Sequence, residues 1–462
     1  MVPASSPTPP DPTGLDPTGP APTGTAPTGT APQDEPAPTP LLVLRDGLPR
    51  VIETEADLRA YCTDLAAGSG PVAIDAERAS GYRYSARAYL IQLRREGAGT
   101  ALVDPIAFDS LAPLQEALAG TEWILHAATQ DLPCLAEVGL LPDSLFDTEL
   151  AGRLLGYPRV GLATLVETLL GQRLRKEHSA ADWSTRPLPE SWLEYAALDV
   201  EVLLEIRQHQ LEELVATGKE TWARQEFDHL LGHRAPVRDE PWRRTSGTNK
   251  VRGRRALGAL RAMWETRDRI ARERDVTPGR ILPDSALIVA AQTMPADRRT
   301  LLATRGFHGR GAERYANQWV AALDEARELA EDDLPSRTAR STGPPPARAW
   351  SDRDPVAARR LVHARAAMAE LSERVSVPVE NLLTPDLLRR ALWAPPRSRH
   401  PEELGPWVAE TLAEQGARPW QVELTTDVIV AAVLAGDVEP EPDPAELEQA
   451  LDASDAGGPP AG

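Results

Sequence analysis

The chain has 462 residues, 42% of them hydrophobic, and a formal net charge of −19. Because this length exceeds what one core organises, we expect about two to four domains. Two cysteines are too few for a disulfide framework, and the longest apolar run, Val428 to Ala435, is far shorter than the roughly 20 residues of a membrane helix. The N-terminus also lacks the pattern of a signal peptide, so the sequence predicts a cytoplasmic protein.

The two ends of the chain differ in composition from the middle. Residues 1–40 repeat Pro-Thr-Gly every five residues and hold almost no large apolar side chains, so we expect them to be disordered. The acidic tail, residues 437–462, is predicted to be disordered too, and residues 328–349 are predicted to be a linker. Three folded units remain, over residues 41–235, 238–327 and 350–436.

The first unit mixes strand and helix patterns. The short runs at 72–74, 89–93 and 101–103 have the composition of strands, and helical periodicity dominates from Leu111 onward. From about residue 241 no strand pattern occurs. The sequence therefore predicts an α/β domain followed by all-helical units.

The two helical units share a pattern. Glu273-Arg274-x-x-x-Pro278 recurs as Glu373-Arg374-x-x-x-Pro378 at an offset of 100, and Ile281-Leu282 is echoed by Leu382-Leu383 at an offset of 101. We predict a duplicated helical module. Chance similarity between two helical hairpins is the alternative.

Charge is unevenly distributed. Residues 241–280 contain twelve Arg or Lys and four acids, a net of +8, whereas residues 431–462 contain eight acids and no Arg or Lys. A basic segment of this kind is typical of a nucleic-acid-binding surface, although a solvated Arg-rich helix face would have the same composition.

Three groups of acidic residues carry candidate chemistry. Asp75 and Glu77 follow an apolar run, and positions i and i+2 of a strand share a face, so the two carboxylates repel each other unless a divalent cation lies between them. Taken alone, an ordinary solvated strand end is the favoured alternative. Asp131 follows His126 and has the position of a helix N-cap. Tyr195 and Asp199 are spaced i, i+4 on a helix predicted to begin near Pro189; the alternative is a half-buried tyrosine beside an exposed aspartate.

Together and in this order, these motifs resemble the ribonuclease D family of 3′→5′ exonucleases, the group with four acidic residues and a tyrosine. The resemblance covers about residues 70–210 and includes Tyr89-Leu90-Ile91-Gln92-Leu93, Phe146-Asp147-Thr148 and the approach to the third motif from Leu174 to Leu188. It implies a ribonuclease H-like fold for this domain. Arg78 departs from relatives that have an aromatic residue there, which leaves details of the terminal-nucleotide contact open.

The resemblance also implies the chemistry. Two divalent ions, Mg²⁺ or Mn²⁺, would be held by the four acidic residues, Asp75, Glu77, Asp131 and Asp199. Tyr195 would orient or deprotonate the attacking water, and nucleoside 5′-monophosphates would leave the 3′ end of RNA, such as structured or tRNA precursors. Four further side chains are expected to contact substrate: Gln92, His126, Lys176 and Arg186.

Residues 238–327 resemble the helical HRDC domain, which is shared with RecQ-type helicases and binds nucleic acid, and residues 350–436 resemble a diverged second copy. No phosphate-binding loop of the form G-x-x-x-x-G-K-[ST] occurs, which excludes a helicase and leaves no nucleotide cofactor expected. The sequence thus predicts a metal-dependent exoribonuclease. A DNA-directed exonuclease and a non-catalytic RNA-binding scaffold are the alternatives.

Overall fold

The computed structural model describes residues 39–175, 181–234, 238–338 and 343–438. Within these ranges there are six strands: β1 Val51–Ile52, β2 Ser69–Arg78, β3 Ala88–Glu96, β4 Gly99–Val103, β5 Glu122–Leu125 and β6 Ser144–Asp147. The helices of the α/β unit are α1 Glu55–Ala67, α2 Ala112–Leu118, α3 Leu132–Ala136, α4 Thr148–Leu154, α5 Leu162–Leu170, α6 Glu190–Glu201, α7 Leu203–Ala216 and α8 Glu220–Leu231.

Two helical units follow, the middle unit (residues 241–338) and the C-terminal unit (residues 343–438). The middle unit contains α9 Arg254–Arg274, α10 Pro278–Ile281, α11 Asp284–Thr293, α12 Arg298–Ala303, α13 Arg310–Arg314 and α14 Ala316–Glu328. The C-terminal unit contains α15 Trp350–Arg353, α16 Pro355–Val375, α17 Val379–Leu382, α18 Pro385–Trp393, α19 Pro401–Glu414 and α20 Pro419–Asp437. Among the described helices, none combines the length and apolarity needed to cross a membrane.

The strands form one mixed sheet in the order β1-β4-β3-β2-β5-β6. The antiparallel pairs are β2–β3 and β3–β4, and the remaining neighbours are parallel. A sheet followed by helical units confirms the predicted fold class. Helices dominate after Leu111, as expected, and two strands that the sequence patterns did not indicate, β5 and β6, also lie there. Both strands are short and buried, so their sequences lack the alternation that marks a strand with one wet face.

The sheet is covered on both faces, and this decides where its polar residues point. Val72 and Ile74 of β2 pack into the core that contains Leu58 of α1 and Leu114 of α2. Ala73, one position along, packs with Val200 of α6 and its neighbours instead. Since alternate residues of a strand face opposite sides, Asp75 and Glu77 point toward α6.

The two helical units have corresponding landmarks. The first long helix of each has 21 residues, α9 and α16, and each ends at a residue in the left-handed conformation, Asp275 (φ 45°) and Ser376 (φ 51°). A four-residue helix then follows in both units, α10 and α17. These landmarks are 101 residues apart. The Ile281-Leu282 pair recurs at the same offset, whereas the Glu-Arg pattern recurs at an offset of 100. Duplication of the module stays a prediction.

The first part of the predicted linker packs against the middle unit. Leu334 is buried, and Arg254 of α9 donates to the carbonyl oxygens of Glu331 and Leu334, each at 2.7 Å. Residues up to 338 therefore extend this unit. The tail predicted for residues 1–40 lies almost wholly outside the described residues, as does the acidic tail beyond Val438.

The C-terminal unit shares one continuous apolar core with the α/β unit. Trp420 of α20 stacks on Trp222 of α8 with ring centroids 5.0 Å apart, and its Nε1 donates to Glu226 at 2.8 Å. Arg418 donates to the same carboxylate at 2.7 Å. The C-terminal unit thus covers apolar surface of α8 that would otherwise face water.

We expect Trp420→Ala to lower the free energy of unfolding by about 3–5 kcal/mol, because it removes a fully buried ring and leaves a buried carboxylate short of a donor. Urea unfolding followed by circular dichroism measures this change. Val362→Ala, at a 67% exposed position of α16, is the control and should stay within about 0.5 kcal/mol of wild type. Equal effects of the two substitutions would contradict a shared core.

Candidate active site

The structure brings the first and third acidic motifs together. Asp75 lies opposite Gln92 in the β2–β3 pair, and Glu77 lies opposite Leu90. Asp199 of α6 approaches the same face of the sheet. Asp75, Glu77 and Asp199 each offer a carboxylate oxygen, and these oxygens lie within 4.8 Å of one another. Asp199 is 8% exposed, so the alternative of an exposed aspartate on α6 was wrong.

Helix α6 begins after Pro189, as predicted, and an ion pair fixes its far end to the sheet. Glu201 is 1% exposed and lies 3.3 Å from Arg94 of β3 and 3.4 Å from Arg45. Because Glu201 comes two residues after Asp199, this ion pair restricts how far that carboxylate can move. One turn earlier, the Tyr195 hydroxyl donates a hydrogen bond to Asp199.

Asp131 enters the site through a constrained turn between β5 and α3. Ala127 has the left-handed conformation, φ 61°, which is uncommon without glycine and needs support. The support comes from Asp147, which accepts hydrogen bonds from the amides of Ala127 and Ala128 at 3.1 and 2.8 Å. Asp131 takes the N-cap position of α3, but its side chain accepts no capping hydrogen bond. Its carboxylate is therefore available to the acidic cluster.

The four carboxylates lie where their charged forms are disfavoured, first by burial and then, for all but Asp75, by neighbouring acids. Burial raises the pKa of Glu77 to about 10, with further contributions from Asp75, Asp199 and Asp131. Burial is also the first cause of the raised pKa values of the other three acids. Arg78 opposes the shift at Glu77 but does not cancel it. A donor set of oxygens alone, crowded and short of positive charge, fits Mg²⁺ or Mn²⁺.

Tyr195 keeps its proton in this environment. Burial raises the pKa of its phenol above the usual value, and the negative charges of Asp199, Glu77 and Asp75 raise it further. At neutral pH the Oη atom is therefore a hydrogen-bond donor.

His126 is a neutral residue whose ring is anchored by Thr148. Its Nδ1 lies 2.9 Å from the Thr148 hydroxyl, which also lies 3.2 Å from the carbonyl oxygen of Leu125. A hydroxyl both donates and accepts, so this contact holds the ring in either tautomer. Burial lowers the pKa of His126 to about 4, so the ring is neutral at neutral pH.

The other predicted substrate contacts lie in different surroundings. Gln92 is fully buried beside Asp75, and within the described residues its amide atoms have no hydrogen-bond partner. Arg186 donates to both carboxylate oxygens of buried Asp104, at 2.5 and 2.7 Å, and to three carbonyl oxygens. These bonds engage all its donors, so the structure gives it a positioning role instead of a free substrate contact. Lys176 lies outside the described residues.

Sequence reasoning missed two buried acids that position the site, Asp147 and Glu201. Asp147 was noted only as part of a helix entry, where its capping of α4 was the available signal. Glu201 gave no signal, because its partners Arg45 and Arg94 come from distant parts of the chain.

Family models match three parts of the chain. Residues 49–215 match a model described as a 3′-5′ exonuclease, and residues 256–323 match the HRDC domain. Residues 343–433 match the 3′ to 5′ exonuclease C-terminal domain. The three matches follow the α/β unit, the middle unit and the C-terminal unit in order.

Whole-chain relatives agree with these matches. The chain is 35% identical over 298 residues to ribonuclease D of Granulibacter bethesdensis, covering 62% of this chain and 74% of that protein. It is 30% identical over 374 residues to ribonuclease D of Cronobacter turicensis, covering 79% and 98%.

Two crystal structures are also similar. A protein from Bifidobacterium adolescentis has a TM-score of 0.78 at 38% identity, covering 86% of this chain and all of that one. Escherichia coli RNase D, described as an exoribonuclease involved in structured RNA processing, has a TM-score of 0.61 at 27% identity, covering 82% and 99%.

The raised pKa of Glu77 predicts a pH-dependent stability of the metal-free protein. Glu77 titrates near 4.5 in the unfolded chain and near 10 in the folded one, so the folded state binds the extra proton and loses stability as pH rises between these values. With chelator present, Glu77→Gln should therefore be more stable than wild type by at least about 1 kcal/mol near pH 8.5, and the difference should shrink toward about pH 5.

Thermal unfolding across this pH range measures the effect. Added Mn²⁺ should raise the wild-type Tm, because it binds only the folded cluster, and should raise the Tm of Glu77→Gln less. Glu116→Gln, an exposed position on α2, serves as the control and should change neither quantity. A Glu77→Gln protein that is less stable than wild type without metal would show that the carboxylates do not repel.

Proposed function

The chain belongs to the ribonuclease D family of 3′→5′ exoribonucleases, which process structured RNA, and on this premise we propose that its clustered carboxylates release nucleoside 5′-monophosphates from RNA 3′ ends. The observation that carries the proposal is the convergence of carboxylate oxygens from β2 and α6 within 4.8 Å. Tyr195 lies beside them and is bonded to Asp199.

Exonuclease domains of this family are typically metal-dependent. We assign the ligands to the four carboxylates of the cluster, Asp75, Glu77, Asp131 and Asp199. Divalent ions held by these carboxylates would activate the attacking water and neutralise charge on the phosphate oxygens. The residues of this chain supply a fixed geometry: the sheet holds the first two acids, the Asp147 turn holds the third, and the Glu201 ion pair holds the fourth.

Tyr195 and His126 can each hydrogen-bond a reacting group. The Tyr195 hydroxyl gives its one proton to Asp199, and the lone pairs of its Oη can accept a hydrogen bond from the attacking water. The Nε2 atom of His126 suits a hydrogen bond with a hydroxyl of the terminal nucleotide. Each side chain is held by a partner within the protein, and such pre-orientation is what positional catalysis requires.

The middle unit offers a small exposed basic surface for RNA. Most of the twelve cations in residues 241–280 contact groups of the protein itself, such as Arg267 with Asp284 at 2.7 Å. Arg244, Lys250 and Arg252 are exposed, and their side chains have no hydrogen bond or ion pair within the described ranges. We propose that these three contact phosphates, which position RNA without reading its sequence. Cytoplasmic localisation is likewise a proposal.

The proposed function is tested with 5′-labelled RNA and DNA of one sequence, incubated with Mg²⁺, Mn²⁺ or chelator. Wild type should shorten RNA from its 3′ end and release nucleoside 5′-monophosphates only with metal. Asp75→Asn should abolish this degradation while RNA binding persists, because it removes one charge from the metal ligands. More than about a tenth of wild-type kcat at saturating metal in this variant would contradict the assignment. Faster degradation of the DNA than of the RNA would change the assigned substrate from RNA to DNA.

Tyr195→Phe should lower kcat by roughly 10²-fold, the usual cost of losing a group that handles a proton or orients the nucleophile. Mn²⁺ affinity, followed by the shift in Tm, should change little, because the tyrosine is not among the proposed ligands. Trp192→Phe, on the same helix, provides a matched loss of aromatic bulk. If the two variants were equally active, Tyr195 would have only a packing role.

A further inference from the structure

The loop after the first acidic motif is held by the middle unit. This rim loop, residues 79–87, joins β2 to β3 directly after Glu77 and Arg78. The backbone amides of Tyr84 and Ser85 both donate to Oδ1 of Asp275, at 3.2 and 3.0 Å. The amide of Thr277 donates in turn to the carbonyl oxygen of Tyr82 at 3.0 Å. Asp275, the left-handed residue that ends α9, thus fixes two consecutive amides of the rim loop.

The rim loop also touches the elements that carry the other acidic motifs. Ser85 Oγ donates to Glu137 at 3.1 Å, and Glu137 ends α3, the helix that Asp131 begins. Arg83 Nε donates to Ser184 Oγ at 2.8 Å, in the segment that leads into α6. A shift of this loop would therefore displace the elements that carry all three groups of carboxylates.

The contact between the rim loop and the middle unit is polar and directional. The Tyr84 hydroxyl donates to Asp268 at 3.0 Å, and the guanidinium of Arg280 lies 4.4 Å from the centroid of the Tyr82 ring. The C-terminal unit presents its corresponding residue, Ser376, differently: its backbone carbonyl accepts from Lys219 Nζ at 3.2 Å. Of the two corresponding residues, only Asp275 accepts through its side chain. Its hydrogen-bond partners are in the rim loop, which follows the strand that carries Asp75 and Glu77.

We infer that Asp275 is a positioning residue for catalysis. By holding the amides of Tyr84 and Ser85, this residue of the middle unit keeps the rim loop in place and so affects kcat at the acidic cluster. This inference rests on the proposed function. It assigns to the middle unit an effect on kcat that is separate from RNA binding.

Two substitutions of Asp275 separate its side-chain acceptor from its backbone conformation. Glycine adopts the left-handed conformation freely but has no acceptor, so Asp275→Gly removes the bonds to the rim loop and the longer one, 3.4 Å, from the Tyr89 hydroxyl of β3. Asparagine also tolerates this conformation and keeps an oxygen that can accept from both amides, so Asp275→Asn should act like wild type. Ser376→Gly is the matched control, because it makes the same kind of change at the corresponding corner and leaves the backbone carbonyl in place.

The measurement is kcat and KM of the full-length protein on a short unstructured oligoribonucleotide. We expect Asp275→Gly to lower kcat by about 10- to 100-fold with a small change in KM, as small displacements of catalytic groups do. Asp275→Asn should stay within about threefold of wild type, and Ser376→Gly should match wild type. Hydrogen exchange should show faster exchange of the Tyr84 and Ser85 amides in Asp275→Gly alone.

The outcomes that overturn the inference are distinct from those that overturn the function. A wild-type protein without exoribonuclease activity would remove both. An active wild type with normal kcat in Asp275→Gly, an effect on KM alone, or equal losses in Asp275→Gly and Asp275→Asn would remove only the inference. Failure of Asp275→Gly to fold would also overturn it, because the loss would then be one of structure and not of positioning.

Discussion

Repulsion among carboxylates that are held out of water is the constraint on which this structure depends. Four acids cannot lie together at one face of a sheet unless other interactions prevent them from moving apart. The buried sheet holds Asp75 and Glu77, the amide-capped turn at Asp147 holds Asp131, and the Glu201 ion pair holds α6 with Asp199. The main role of the polar groups around the site is therefore to hold mutually repelling carboxylates in place until a cation binds.

The parts of this cluster that follow local rules were readable from the sequence. Strand alternation put Asp75 and Glu77 on one face, and helical spacing put Tyr195 beside Asp199. The place of Asp131 was not readable in this way, because it depends on a left-handed Ala127 and on a carboxylate farther along the chain. Family resemblance supplied Asp131, whereas residue spacing alone favoured a simple helix cap.

Long-range partners explain the remaining differences between expectation and structure. Arg186 resembled a substrate contact, but its partner Asp104 lies 82 residues earlier in the chain. The net of +8 over residues 241–280 likewise overstated the free positive charge. Arg267, for example, is buried and bonded to Asp284 and to the carbonyl of Leu282. A count of charges cannot distinguish a guanidinium that binds RNA from one that ties two helices together.

The two helical units attach to the α/β unit by different physical means. The C-terminal unit joins its apolar core, and apolar burial contributes much free energy but little directional restraint. The middle unit contacts the rim loop through hydrogen bonds, which contribute less net free energy but depend closely on distance and angle. Ser376 and Asp275, which end corresponding helices, thus make different contacts with the α/β unit. A backbone carbonyl suffices where burial already fixes the interface, whereas a half-buried loop beside repelling carboxylates needs a side-chain acceptor that restrains two amides at once.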